Sequence, residues 1–347
     1  MPAIPFTFDP PVHDLDIEGH LVFEGTGHEK LLKWPDIDIR IKVFEGEHGY
    51  PDIDKTEKWS NGAFSRHGDF GYSIGRFHEF FIEAVPDYMR FVFGEVEVSV
   101  GDVTPLGVYF YYNQYDDDID GGEWGSYSSV RIYGPQKDDA EIYFLNCAIR
   151  YHQKTGLSLT PFPVRIFSHT EYIAGELSDN EFKVSSCCSD LEPLRFYYYG
   201  LRHDDDTSAC ILLYKVVEFY AFFSHQKEIG KLRHDDSISD ADFLQKVSSL
   251  LSREERGPII RLIASITDND ILKKAAANSL VDEKGDIPKF SNSLYEFRNS
   301  IVHAKYDVGK QSHSRSFIPK EDSATHWREI LKLLAWRAIE RIGRHRL

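Results

Sequence analysis

Three side chains within residues 294–304, LYEFRNSIVHA, are of types and spacing that suit phosphate chemistry: Arg298, Asn299 and His303. Arginine is a planar donor that stays charged and can grip an anion through two parallel hydrogen bonds. Histidine exchanges a proton near neutral pH. An asparagine amide orients either of them. At 100° per residue, Asn299 and His303 stand at i and i+4, so a helix places them as neighbours. Phe290, Leu294, Phe297 and Ile301 fall on the opposite side as a core stripe, and Arg298 lies on the flank between the two faces. Tyr295, Val302 and Tyr306 form a second apolar set beside Asn299. A helix so patterned is expected to bury both faces, the second against another subunit.

Arg-Asn-x-x-x-His within FRNSIVHA, late in a helical stretch, resembles the signature of HEPN-domain ribonucleases, and its wording is close to the ApeA-like HEPN group of antiphage defence proteins. Residues 214–220, YKVVEFY, are similar to the first long helix of that group, and the resemblance covers residues 195–347. It implies an all-α HEPN helical bundle and a site at a homodimer interface. It implies catalytic residues Arg298, Asn299 and His303, RNA as the partner, and neither metal nor cofactor. It also implies a β-rich domain ahead of the bundle. RNA supplies its own nucleophile, the ribose 2′-hydroxyl. Cleavage then needs a base for that proton, an acid for the 5′-oxygen and positive charge on the phosphorane. Each chain brings one such histidine, so a dimer would supply both acid and base.

The elements that must position these groups change character along the chain. Residues 1–190 read as an antiparallel β sandwich or barrel-like domain. Ile37, Ile39, Ile41 and Val43 alternate with Asp38, Arg40 and Lys42, the period of a half-buried strand. RFVFGEVEVSV, GVYFYYN, SSVRIYG, EIYFLNCAIRYH and PVRIFSHTEYIAGEL read as further strands between Gly, Pro, Asn and Asp clusters. From about residue 208 the period becomes helical. ACILLYKVVEFYAFFSHQ is a long apolar helix, and Ser239 is the expected N-cap of a helix carrying Phe243, Leu244, Val247 and Leu251. PIIRLIASI, ILKKAAANSLV and KFSNSLYEFRNSIVHAKY follow. The last helix aligns Trp327, Leu331, Leu334, Ala338 and Ile342. Five or so helices with short connections make an antiparallel bundle over residues 191–347, with 191–207 as the hinge or first element. The fold class is therefore α+β, in two domains.

Charge separates the halves as well. Of a net −16 over 347 residues, residues 1–200 carry 34 acidic and 16 basic side chains, and residues 201–347 carry 22 and 24. The acidic half repels a phosphate backbone, so nucleic acid would meet the second half. Cys147, Cys187, Cys188 and Cys210 make no C-x-x-C pair and read as reduced thiols, which points to the cytoplasm. The N-terminus lacks the pattern of a secretory signal. No apolar run reaches the ~18 residues of a membrane span.

Weaker signals have plainer explanations. Glu218, inside the apolar helix, is either a partner for Arg298 or a polar residue at a solvated seam. Asp116–Asp120 begins like a calcium loop, but the twelfth position is Tyr127, not Glu, so it reads as an acidic turn. Residues 202–206 (RHDDD) and 233–236 (RHDD) read as solvated linkers rather than metal ligands. Arg337, Arg341, Arg344, His345 and Arg346 either complement a helix C-terminus or meet phosphate. The expected activity is metal-independent RNA cleavage by an antiphage or toxin-type effector, with a phage or host protein trigger at the β domain. The alternative is a non-catalytic HEPN dimerisation module whose β domain binds protein or carbohydrate.

Overall fold

The computed structural model describes residues 21–35, 38–45, 51–111, 127–164, 176–235, 237–252, 256–281, 286–303 and 323–346. The chain divides into two compact units, Met1–Cys187 with Arg346–Leu347, and Cys188–His345. The first is β-rich and the second helical, an α+β layout in two units.

In the first unit, strands β1 (Val22–Glu24), β2 (Glu29–Trp34) and β3 (Ile39–Phe44) form a three-stranded antiparallel sheet. The predicted alternation in β3 holds, with Ile39, Ile41 and Val43 buried and Arg40 and Lys42 exposed. Helix α1 (Ile53–Trp59) follows, with Asp52 as its N-cap through a 2.9 Å bond from the Lys55 N–H. A seven-stranded sheet holds β4 (Phe64–Arg66), β5 (Gly71–Ile74), β6 (Phe77–Glu83), β7 (Asp87–Phe93) and β8 (Val96–Gly101), with β9 (Tyr127–Tyr133) and β10 (Glu176–Val184). Its order is β10-β7-β8-β9-β6-β5-β4. Trp34, Ile39, Ile41 and Val43 of the smaller sheet share one core with Phe64, Tyr72, Phe77 and Phe81 of the larger.

Three features differ from the sequence reading. The sheet is mixed, because β10 pairs with β7 in parallel. GVYFYYN is not a strand: its described part lies in helix α2 (Pro105–Tyr111). The Thr104 hydroxyl accepts the Gly107 N–H at 3.0 Å, and Pro105 stands at the first helical position, so a capped start overrides the β-propensity of Val108–Tyr111. EIYFLNCAIRYH lies in helix α3 (Ala140–Thr155), closed by Gly156 at φ 77°. Ile142 through Ile149 are all buried, so no polar face marks the helical period, and only the length argues against a strand. Helix α3 covers the other face of the sheet, with Phe144 against Phe80 and Tyr143 against Phe93. Most of PVRIFSHTEYIAGEL, and all of the Asp116–Asp120 turn, lie outside the described residues.

The helical unit holds seven helices among the described residues: α4 (Leu191–Arg202), α5 (Asp206–Arg233), α6 (Asp240–Ser252), α7 (Arg256–Ile266), α8 (Asn269–Ala277), α9 (Ile287–His303) and α10 (Ser323–Ile342). Residues 191–202, read as a hinge or first element, are the full helix α4. Helix α5 is the centre, packed against α4, α6, α7, α9 and α10. That surround explains why its apolar residues occupy more than one stripe. Ser239 caps α6 as expected, its hydroxyl oxygen accepting the Asp242 N–H at 3.2 Å. Phe290, Leu294 and Phe297 of α9 are buried, with Phe297 stacked on Trp327 of α10 at 5.3 Å; Ile301, expected in the same stripe, is half-buried. In α10 the stripe of Trp327, Leu331, Leu334 and Ala338 is buried, widened by Ile330, Ala335 and Ile339, while Ile342 is half-buried.

Two of the expected linker residues in 202–206 are structural instead. Asp205 caps α5 by accepting the Ser208 N–H at 2.8 Å. Asp206 accepts from Arg328 at 2.7 Å, and that same guanidinium donates to the Leu201 carbonyl at 3.0 Å. One arginine of α10 thus satisfies an orphan carbonyl at the end of α4 and the first acid of α5. Burial raises the Asp206 pKa, but the bonds from Thr325 and Arg328 outweigh it and hold the carboxyl below its usual range.

Candidate functional site

Helix α9 presents Asn299 on the side away from its Phe290–Leu294–Phe297 stripe and Arg298 on the flank between the two faces. Arg298 is not on open surface. Its side chain is 13% exposed and reaches across to α5, where Nη2 donates to Glu218 Oε1 at 2.7 Å. Its guanidinium carbon lies 5.7 Å from the centre of the Tyr214 ring, one turn before Glu218 on the same helix. Nη1 donates to Asn299 Oδ1 at 3.1 Å. Arginine has only donors, so the amide must turn its oxygen toward Arg298. The Asn299 NH2 group is therefore the end that can donate elsewhere.

His303 closes α9, one helical turn beyond Asn299; its side chain lies outside the described residues, as does Tyr306. In the second apolar set, Val302 is exposed and Tyr295 is half-buried beneath the Arg256 guanidinium, at 5.6 Å. Arg256 of α7 also donates to Asn292 Oδ1 at 2.8 Å.

Glu218 was one of two open readings in the sequence, and its carboxylate is now placed on Arg298. A lone acid inside an apolar helix was the legible signal, since a buried carboxylate calls for a partner. Arg298 and Glu218 come from α9 and α5, 80 residues apart. Their pairing sets the Arg298 guanidinium in one place and supplies a fixed acceptor beside it. The guanidinium is thus held between the Glu218 carboxylate and the Asn299 amide.

Three arginines of the basic C-terminus are engaged within the chain. Arg337 pairs with Asp268 at 2.9 Å, Arg341 donates to the Ser265 carbonyl at 3.0 Å, and Arg344 pairs with the buried Asp190. The structural reading of this tail therefore gains over the phosphate one. Among the described residues no group of three His, Cys, Asp or Glu side chains could hold a metal ion, and no helix is long and apolar enough to cross a membrane. The four cysteines are buried thiols, none in a disulfide.

The sequence reading missed two polar clusters in the first unit. The buried Glu79 carboxylate accepts from Tyr72 at 2.6 Å, from the Thr104 N–H at 2.8 Å and from the Thr104 hydroxyl. Buried Arg131 of β9 stands opposite Glu79 in the register. On the other sheet face, Ser73 Oγ lies 2.6 Å from His67 Nε2 and 2.7 Å from His78 Nδ1. His78 Nε2 faces the Pro135 carbonyl at 3.2 Å and so carries a proton. His78 Nδ1 then accepts from Ser73, whose oxygen accepts from His67. A polar residue at an inward strand position looks like an outward one in sequence when the sheet is buried on both faces.

No family model, curated protein or solved structure matches this chain, so its own residues carry the functional argument.

Proposed function

We propose that the helical unit is a HEPN-type endoribonuclease that cleaves RNA without a metal. Arg298, Asn299 and His303 are its catalytic residues, and the β-rich unit answers to a protein trigger. The observation that carries this reading is the placement of Arg298: on the flank of α9 beside its core stripe, held by Glu218 of α5 and by Asn299. In this account Arg298 and the Asn299 amide grip the non-bridging oxygens of the scissile phosphate and stabilise the phosphorane. His303 moves the proton of the 2′-hydroxyl or of the leaving 5′-oxygen. A symmetric homodimer brings a second histidine, which allows acid and base to come from different chains. Exposed Val302 and half-buried Tyr295 supply the apolar part of such an interface. The setting is a cytoplasmic antiphage or toxin-type effector.

One observation favours a second reading, a non-catalytic dimerisation module. The Glu218 carboxylate already neutralises Arg298, as in a structural ion pair. The two separate in one experiment. The full chain is incubated with single-stranded RNA in EDTA, alongside Arg298→Lys and His303→Ala. Cleavage by the wild type that both substitutions abolish supports the enzyme. A folded wild type that never cleaves leaves the module.

A further inference from the structure

From the α4–α5 surface we infer a binding track for single-stranded RNA, made of Arg195, Phe196, Tyr199, Arg202 and Lys215. The inference rests on the ribonuclease reading and extends it by naming where the substrate lies. Arg195, Tyr199 and Arg202 stand at i, i+4 and i+7 on α4, which puts a cation, an aromatic ring and a cation along one stripe. Tyr199 is 53% exposed although it belongs to a well-packed helix, and its ring meets that of Tyr198 at 5.4 Å and 61°. Beneath it, Arg202 is set over Tyr198, donating to the Tyr198 hydroxyl at 3.1 Å. The Tyr199 ring thus meets Tyr198 edge-on while about half of the residue stays exposed. Tyr199 is among the three most exposed large hydrophobic side chains of the described residues, and it alone of these stands between two arginines on one helical stripe.

Lys215 joins this stripe to the proposed site. Its Nζ lies 5.1 Å from the centre of the Phe196 ring, so it leans from α5 onto α4. On α5 it precedes Glu218, the partner of Arg298, by three residues and shares a flank with it. The two helices are locked closely: a Cβ at Gly200 would come within 2.8 Å of Leu213. The aromatic and cationic groups therefore keep a fixed spacing relative to Arg298. Arg195 is paired with Glu192 at 3.1 Å, an exposed i,i+3 contact of little strength that a phosphate can replace.

The chemistry selects the ligand. An exposed ring with cations on both sides stacks a base and neutralises the phosphates beside it. Arg195 and Arg202 are separated by about 10 Å of helix, which straddles one stacked base. Duplex RNA hides its base faces and would use the cations alone.

The test is fluorescence anisotropy of the full chain with a labelled, fully 2′-O-methylated single-stranded oligonucleotide, which the proposed chemistry cannot cut. Tyr199→Ala weakens binding by about 5- to 150-fold, the range for one lost base–aromatic stack, and Tyr199→Phe restores it. Lys215→Gln weakens binding and lowers the salt slope by about 0.7, while Lys273→Gln, at an exposed position of α8, changes nothing. Equal binding by wild type, Tyr199→Ala and Lys215→Gln, or no binding by the wild type at low salt, overturns the track. So does equal affinity for a duplex of the same length. Cleavage of unmodified RNA is measured in parallel: its absence counts against the ribonuclease reading, whereas intact cleavage with unchanged binding in both variants counts against the track alone.

Discussion

Replacing Glu218 with Ala strips Arg298 of its partner at 2.7 Å. The cost can be bracketed. An exposed ion pair contributes about 0–1 kcal/mol, and breaking a fully buried one costs about 3–5 kcal/mol. With side-chain exposures of 13% for Arg298 and 32% for Glu218, this pair falls between the limits. We expect a loss of about 2 kcal/mol. With a urea slope of about 1–3 kcal/mol per molar, the helical transition moves down by about 1 M. Glu218→Gln keeps the acceptor and the shape and costs about half as much. A double-mutant cycle with Arg298→Met isolates the pair and should show a coupling of about 1–1.5 kcal/mol, retained in high salt because Arg298 is mostly buried. The assay is urea denaturation of the full chain followed by far-ultraviolet circular dichroism. A coupling below about 0.3 kcal/mol would refute the claim that Glu218 sets the position of Arg298.

Other consequences follow from packing and protonation. Gly107→Ala places a Cβ 2.8 Å from the Glu79 carboxylate and 2.9 Å from Val103, and should destabilise the first unit by about 1–3 kcal/mol, read by thermal unfolding. Gly200→Ala meets Leu213 at 2.8 Å and should lower the helical unit's stability by a similar amount. Burial, then nearby Lys137 and His78, lowers the His67 pKa to about 4. Because the folded value lies below the unfolded one of about 6.5, the unfolded chain binds the extra proton. Stability therefore falls as pH drops from about 6.5 to 4, by about 1–2 kcal/mol once partial exposure is allowed for. His67→Gln should flatten that window in denaturation curves taken from pH 7 to pH 4.

The helical unit was the more legible half, for a physical reason. Helix α5 is a long, largely apolar run, α9 and α10 carry apolar stripes over 17 or more residues, and Ser239 stands where a helix start calls for it. Helices α2 and α3 were lost because they are buried nearly all round and rich in Tyr, Phe, Ile and Val, which erases the contrast that separates a period of 3.6 from one of 2. For α2 the Thr104-Pro105 start was a usable signal that the aromatic run obscured. Strands β4 to β6 were not separated in the sequence, since Gly71–Ile74 is buried at every position and shows no alternation. In the candidate site, helical geometry brought Asn299 next to Arg298 and one turn from position 303. The Glu218 contact required knowing that α9 packs on α5, a long-range fact that no local period contains. The Glu79 and Ser73 clusters were illegible for the same reason, being assembled by sheet register across β5, β6 and β9.

The central claim is settled most directly by the ends of the RNA fragments. The full chain is incubated with single-stranded RNA in excess EDTA, and the products are sized by mass spectrometry. Attack by the 2′-hydroxyl must leave a 2′,3′-cyclic phosphate, so the account predicts that end, its loss in Arg298→Lys and His303→Ala, and no cleavage of DNA or of RNA methylated at the 2′-oxygen of the cut site. Fragments ending in a 3′-hydroxyl, or activity that vanishes in EDTA and returns with Mg²⁺ or Mn²⁺, would mean hydrolysis by an activated water and would contradict it.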